Sequence, residues 1–170
     1  MKYISKYASP VGMLTLASNG ESLTGLWIEG QDYFPELDQS AIVKDDLPVF
    51  LQTIQWLEDY FKGKNPGKIP SVAPEGTEFR KAVWEVLMQI PYGKLTTYGD
   101  VAREVSKNQN DQFVSPRAVG GAVGHNPISI IIPCHRVVGS NNSLTGYAGG
   151  LDLKVKLLES EKVDLAGYKR

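Results

Sequence analysis

At 170 residues the chain is long enough for one large domain or two small ones, each burying its own core. No apolar run approaches the roughly 18 residues of a membrane span, and Met1 to Lys6 carries no apolar stretch of the signal-peptide kind, so the chain is read as cytoplasmic with no membrane partner. One Cys and two His exclude an internal disulfide and a structural zinc, and the net charge of −1 hides an asymmetry: residues 1–75 hold six Lys+Arg against ten Asp+Glu, residues 76–170 twelve against nine. The second half is mildly basic, which permits contact with a polyanion without demanding it.

The first 30 residues read as β structure. Met13 to Ala17 and Leu23 to Ile28 flank Asn19-Gly20, a favoured hairpin pair. After an acidic, unpatterned stretch from Gln31 to Asp46, Phe50, Ile54, Leu57 and Phe61 fall at helical spacing, and Gly63 ends the run. The Pro-, Gly- and Lys-rich stretch from Gly63 to Gly76 marks a boundary between an N-terminal domain, 1–75, and a C-terminal domain, 76–170. Thr77 then caps a helix carrying Phe79, Val83, Val86, Leu87 and Ile90, stopped by Pro91 and Gly93. Thr97 and Asp100 open a second helix with Val101, Ala102 and Val105. A polar connector from Ser106 to Val114 leads to Ser115-Pro116, an N-cap with proline at the first helical position. Two helices so joined fit a helix-turn-helix with an unusually long connector. Ile128 to Ile132 reads as a buried strand ending at Pro133, and a last helix is expected from about Leu151 to Lys162.

Two segments carry chemistry. Cys134 stands between Pro133 and His135. A free thiol is only a few per cent ionised at neutral pH, so a nucleophilic Cys needs a neighbouring base or cation, which His135 and Arg136 can supply. Successive strand residues face opposite ways, so Cys134 and His135 cooperate only where the backbone turns or a water bridges them. The alternative for Cys134 is a buried structural thiol. The second segment is Pro116 to Gly124, where interior glycines each cost about 1 kcal/mol relative to Ala. With Val119 and Val123 inward, Arg117, Ala118, Gly121 and Gly124 face outward as nearly bare backbone behind a cation, suited either to a narrow groove or to tight packing on another element. Tyr98 begins its helix with a phenol that can pack or present its hydroxyl. Glu161, at the end of the last helix, is by default a solvated charge, with His135 as a possible partner.

Ile132-Pro133-Cys134-His135-Arg136-Val137 resembles the active-site signature of the O6-alkylguanine-DNA alkyltransferases. Gly76 to Trp84, Tyr92-Gly93-Lys94, Thr97-Tyr98, Arg117 to Gly120, Asn126-Pro127 and Gly146 to Gly150 stand in that family's order, and Ser9 to Gly12 with Leu23 to Leu26 is similar to its N-terminal domain. The resemblance implies an α/β protein: a small N-terminal α+β domain of ribonuclease-H-like type, then a mostly helical C-terminal domain with a helix-turn-helix. It implies DNA repair by stoichiometric, irreversible transfer of an alkyl group from O6-alkylguanine, and from O4-alkylthymine, to Cys134. Cys134 is then the acceptor, His135 its base through a water, Glu161 the carboxylate orienting that histidine, and Asn126 the brace of the turn before the site. Tyr98, Arg117, Ala118 and Gly121 are implied at the DNA minor groove, with Arg117 filling the gap left by the flipped nucleotide. Tyr98, Val137, Tyr147 and Ala148 are implied around the base. The partner is double-stranded DNA holding the lesion, the protein acts as a monomer, and no cofactor or metal is expected. Flipping is a physical necessity, because a thiolate cannot reach O6 in line inside a stacked duplex.

Two rival readings remain. A non-catalytic binder of alkylated DNA on the same scaffold carries Trp at the place of Cys134. A cysteine hydrolase using Cys134 and His135 needs an oxyanion hole and an orienting third residue, and regenerates its thiol. Groups retained per protein separate the three: zero, one, or many turned over.

Overall fold

The computed structural model describes residues 2–170, and the chain divides into two compact units. One comprises residues 1–75 with 127–129, the other residues 76–126 with 130–170.

The first unit is built on a four-stranded sheet in the order β3-β2-β1-β4. Strands β1 (Tyr3–Ser9), β2 (Gly12–Ser18) and β3 (Leu23–Ile28) form an antiparallel meander, and the short β4 (Ile42–Val43) runs parallel to β1. The Asn19-Gly20 turn works through side-chain chemistry: Asn19 Oδ1 accepts from the N–H groups of Glu21 and Ser22, while Gly20 takes a φ of 110°. All six residues of β3 are buried, so this strand is covered on both faces, and Leu26 makes an isolated parallel bridge to Ile128. Helix α1 (Pro48–Phe61) buries Val49, Phe50, Thr53, Trp56, Leu57 and Tyr60. The expected stripe was rotated by one position: Ile54 and Phe61 are only half buried, because Trp56 and Tyr60, stacked at 5.5 Å, occupy the inner face.

The second unit is mainly helical: α2 (Glu78–Leu87), α3 (Tyr98–Asn108), α4 (Pro116–Gly124) and α5 (Leu151–Ser160), with two-residue strands β5 (Thr96–Thr97) and β6 (Val137–Val138) paired in parallel. The caps expected from sequence form. Thr77 accepts from Arg80 N–H, Thr97 from Asp100 N–H and Ser115 from Ala118 N–H. The core joins Val83, Trp84, Leu87, Val101, Val105 and Val119, and the indole of Trp84 donates to Ala122 O at 2.9 Å. Among the described residues no helix is long and apolar enough to cross a membrane.

The expected strand over Ile128 to Ile132 does not form. Only Ile128 makes a strand-like bridge; Ser129 to Ile131 turn, with Ile130 at a φ of 72°. The run is apolar because all of it is buried, and burial alone does not distinguish a strand from a tightly folded turn. A β-branched residue at positive φ is costly, so the surrounding packing must hold it there.

Candidate functional site

The turn delivers the chain to Cys134, which opens a one-turn 3₁₀ helix, Cys134–Arg136, rather than ending a strand. The obstacle of opposite-facing neighbours is thereby removed, since the backbone turns at this point. The turn is braced by Asn126, whose Nδ2 donates to Ile132 O at 2.7 Å from a buried position. Cys134 is 4% exposed. Burial pushes its thiol up in pKa, against hydrogen bonds from the Asn126 and Tyr147 side chains and the charge of Lys154, all of which favour the thiolate.

His135 is fully buried, and its Nε2 lies 2.5 Å from Glu161 Oε2. Burial lowers the imidazole pKa, with the Glu161 hydrogen bond and charge opposing it, so the ring is neutral and available as a base. Glu161 is not the solvated helix-end charge that is its default. It follows the last turn of α5 at 3% exposure, where its Oε1 accepts from Gly93 N–H (2.8 Å) and Arg136 Nε (2.8 Å). Burial works to raise its pKa, yet His135, Arg136 and the Gly93 N–H together hold it well below the usual carboxylate range. Arg136 in turn donates through Nη1 to Ile90 O at 2.8 Å and lies over the Tyr92 ring.

Lys154 was missed in the sequence. Fully buried on α5, its Nζ donates to Val137 O and Leu144 O, both at 2.6 Å, and to Gly146 O at 3.3 Å. It therefore ties β6 to the loop that carries Thr145, Tyr147 and Ala148. Burial lowers its pKa to about 8. A signal existed: Leu151, Lys154, Val155 and Leu158 fall at i, i+3, i+4 and i+7, placing a cation inside the apolar stripe of α5. Thr145 was also missed, and its hydroxyl lies 3.2 Å from that of Tyr98. Burial raises the Tyr98 pKa, so its phenol keeps its proton.

With His135 neutral, the buried formal charges are Arg136 and Lys154 positive and Glu161 negative, one positive charge in excess until the thiol ionises. That excess charge offsets only part of the burial that keeps the thiol protonated. The elements α3 and α4 stand apart from this cluster in chemistry. Arg117, Ala118 and Gly121 are exposed on α4, and a Cβ built on Gly121 or Gly124 meets nothing within 4 Å. Tight packing, one of the two explanations of the glycine-rich face, is thus excluded at those two positions. Among the described residues no group of three or more His, Cys, Asp or Glu is placed to hold a metal ion.

Comparison with known proteins agrees with the resemblance. Residues 78–163 match the profile of the 6-O-methylguanine DNA methyltransferase DNA-binding domain, and residues 2–67 match that of the ribonuclease-like domain of the same proteins. The chain is 46% identical to a methylated-DNA–protein-cysteine methyltransferase of Haemophilus influenzae, across 95% of this chain and 87% of that protein. It is 41% identical to one of Methanosarcina acetivorans, across 94% and 97%. Among solved structures, Mycobacterium tuberculosis OGT in complex with DNA superposes with a TM-score of 0.81 at 38% identity, covering 94% of this chain and 92% of that one.

Proposed function

Since the chain belongs to the 6-O-methylguanine DNA methyltransferase family, we propose that it repairs DNA by taking the alkyl group of O6-alkylguanine irreversibly onto Cys134. The observation that carries this reading is a buried thiol followed directly in the chain by a buried imidazole held 2.5 Å from a buried carboxylate. Burial disfavours a standing thiolate, so the proton must leave as the reaction proceeds. With Nε2 engaged by Glu161, His135 takes that proton at Nδ1 through a water, and Glu161 stabilises the imidazolium formed. The sulfur then attacks the alkyl carbon; an S–C bond forms, the C–O6 bond breaks, and its electron pair stays on the guanine. Tyr98, with its phenol still protonated, is placed in this reading at guanine N3, where it stabilises the leaving base. Val137, Tyr147 and Ala148 surround that base, and Lys154 fixes the loop they depend on. The thioether has no route back to a thiol, so each molecule acts once.

In the same reading the C-terminal domain, 76–170, binds duplex DNA as a monomer through a helix-turn-helix made of α3 and α4. The exposed outer face of α4, Ala118 and Gly121, enters the minor groove, and Arg117 fills the gap left by the flipped nucleotide. O4-alkylthymine is the second substrate. Intact mass after incubation with a duplex containing O6-methylguanine tests the proposal. The expected result is a gain of one methyl group on Cys134 and then no more; turnover beyond one equivalent, or methylation of a Cys134→Ala chain, overturns it.

A further inference from the structure

The connector between α3 and α4, residues 109–115, is not used by the transfer reaction, yet it is built with care. Ser106 closes it three times: its carbonyl accepts from Gln109 N–H (3.0 Å) and Asp111 N–H (2.9 Å), and its hydroxyl donates to Gln112 O (2.7 Å). Asn110 and Asp111 adopt left-handed φ values of 57° and 59°, which Asn and Asp tolerate better than other side chains. Directly after this turn stands Phe113, 88% exposed, the most exposed large hydrophobic residue among the described residues. Four residues further on is Arg117, in the first turn of α4.

The chemistry around Phe113 indicates what covers it. Between residues 106 and 117 the charged side chains are Lys107, Asp111 and Arg117, a net charge of only +1, while Asn108, Asn110 and Gln112 are exposed. A segment so nearly neutral cannot grip phosphates strongly. Exposed amides beside an apolar side chain are instead the combination with which proteins meet base edges in the minor groove and press between or against base steps. The connector also lies within the stretch that matches the DNA-binding profile. We propose that Phe113 docks as an apolar wedge against the sugars and base edges of the duplex beside the flipped nucleotide, extending the contact made by the first turn of α4. This rests on the alkyl-transfer reading and adds to it a binding residue outside the site that reacts.

The test compares the full chain with Phe113→Ala and Phe113→Trp on two duplexes, one undamaged and one containing O6-methylguanine, at several salt concentrations. Phe113→Ala is expected to weaken binding to both about tenfold, the scale of one aromatic side chain left in water. The slope of log K against log salt should stay as it is, because no phosphate contact is lost. Single-turnover reaction with free O6-benzylguanine should match the unsubstituted chain, and Phe113→Trp should retain the affinity. Unchanged affinity in Phe113→Ala overturns the proposal. So does a loss of salt slope, which would make the connector an ionic contact, or a change in the sedimentation of the free protein, which would make Phe113 a contact between copies. Failure of the underlying reading is seen separately, as an unsubstituted chain that binds DNA but gains no methyl group.

Discussion

In the unit built on the four-stranded sheet, the buried polar side chains are hydroxyls and one amide: Ser5, Thr15, Ser18, Thr24, Thr53, Ser129 and Gln31. The other unit buries an imidazole, a guanidinium, an ammonium and a carboxylate, His135, Arg136, Lys154 and Glu161, within 27 residues of one another in sequence. Hydroxyls satisfy themselves cheaply on nearby backbone, as Thr53 does on Val49 O and Ser18 on Ser22 O. Buried charges are another matter, because desolvation offsets most of what their pairing returns, and apolar residues of equal volume often serve stability as well. The contrast teaches where selection has acted on something other than folding. The sheet unit is organised by apolar burial, whereas the charged cluster fixes His135 and Arg136 on Glu161 and, through Lys154, the loop from Leu144 to Gly146.

Breaking the cluster should therefore have the largest effect, and on two measurements together. Glu161→Gln removes the carboxylate that His135, Arg136 and Gly93 share. We expect transfer to slow by about 10² to 10⁴, with a loss of stability of about 3–5 kcal/mol as Arg136 is left buried without its counter-charge. The pH dependence has a definite sign. A carboxylate whose folded pKa is depressed contributes stability above its unfolded pKa and loses it as pH falls through the folded one. Urea unfolding from pH 6 down to pH 3 should show an acid limb that Glu161→Gln lacks, and equal slopes in both proteins would remove Glu161 from the ledger of acid stability. Next in size is the counterpart in the other unit. Leu14 is completely buried on β2, and Leu14→Ala should cost about 2–5 kcal/mol. Its folded fraction should still react with free O6-benzylguanine at the unsubstituted rate; a slower rate per folded molecule would mean that the sheet unit tunes the thiol.

Much of this was legible in the chain itself, for reasons that differ from element to element. The caps Thr77, Thr97 and Ser115 were readable because a cap is a local bond, three residues long. The Asn19-Gly20 hairpin was readable for the same reason. The adjacency of Cys134 and His135 was legible, but the turn over Ser129 to Ile131 was not, since Ile130 at positive φ contradicts its own β-branched preference and is held there by packing. Partners distant in sequence were invisible to residue spacing: Arg136 reaches Ile90, and Glu161 reaches Gly93. Lys154 lay in plain view as a cation within an apolar stripe, where an exposed stem was the easier assumption.

The smallest effect sharpens the comparison most, because it separates what the fold requires from what a partner requires. Gly121 sits inside α4 with ordinary helical backbone, and a Cβ added to it meets nothing within 4 Å. Alanine in its place restricts the unfolded chain and suits a helix better, so Gly121→Ala should raise stability by about 0.5–1 kcal/mol. A residue that the fold would be better without needs another reason to be there. If that reason is the close approach of a groove wall to bare backbone, the more stable Gly121→Ala protein should bind duplex DNA more weakly, Gly121→Leu more weakly still, and both should react with the free base as before. Denaturant titration and DNA binding, measured on the same preparations, then move in opposite directions. If Gly121→Ala instead gains stability and loses nothing on the duplex, the outer face of α4 is not where the groove wall lies, and the minor-groove assignment of this helix has to move elsewhere on the C-terminal unit.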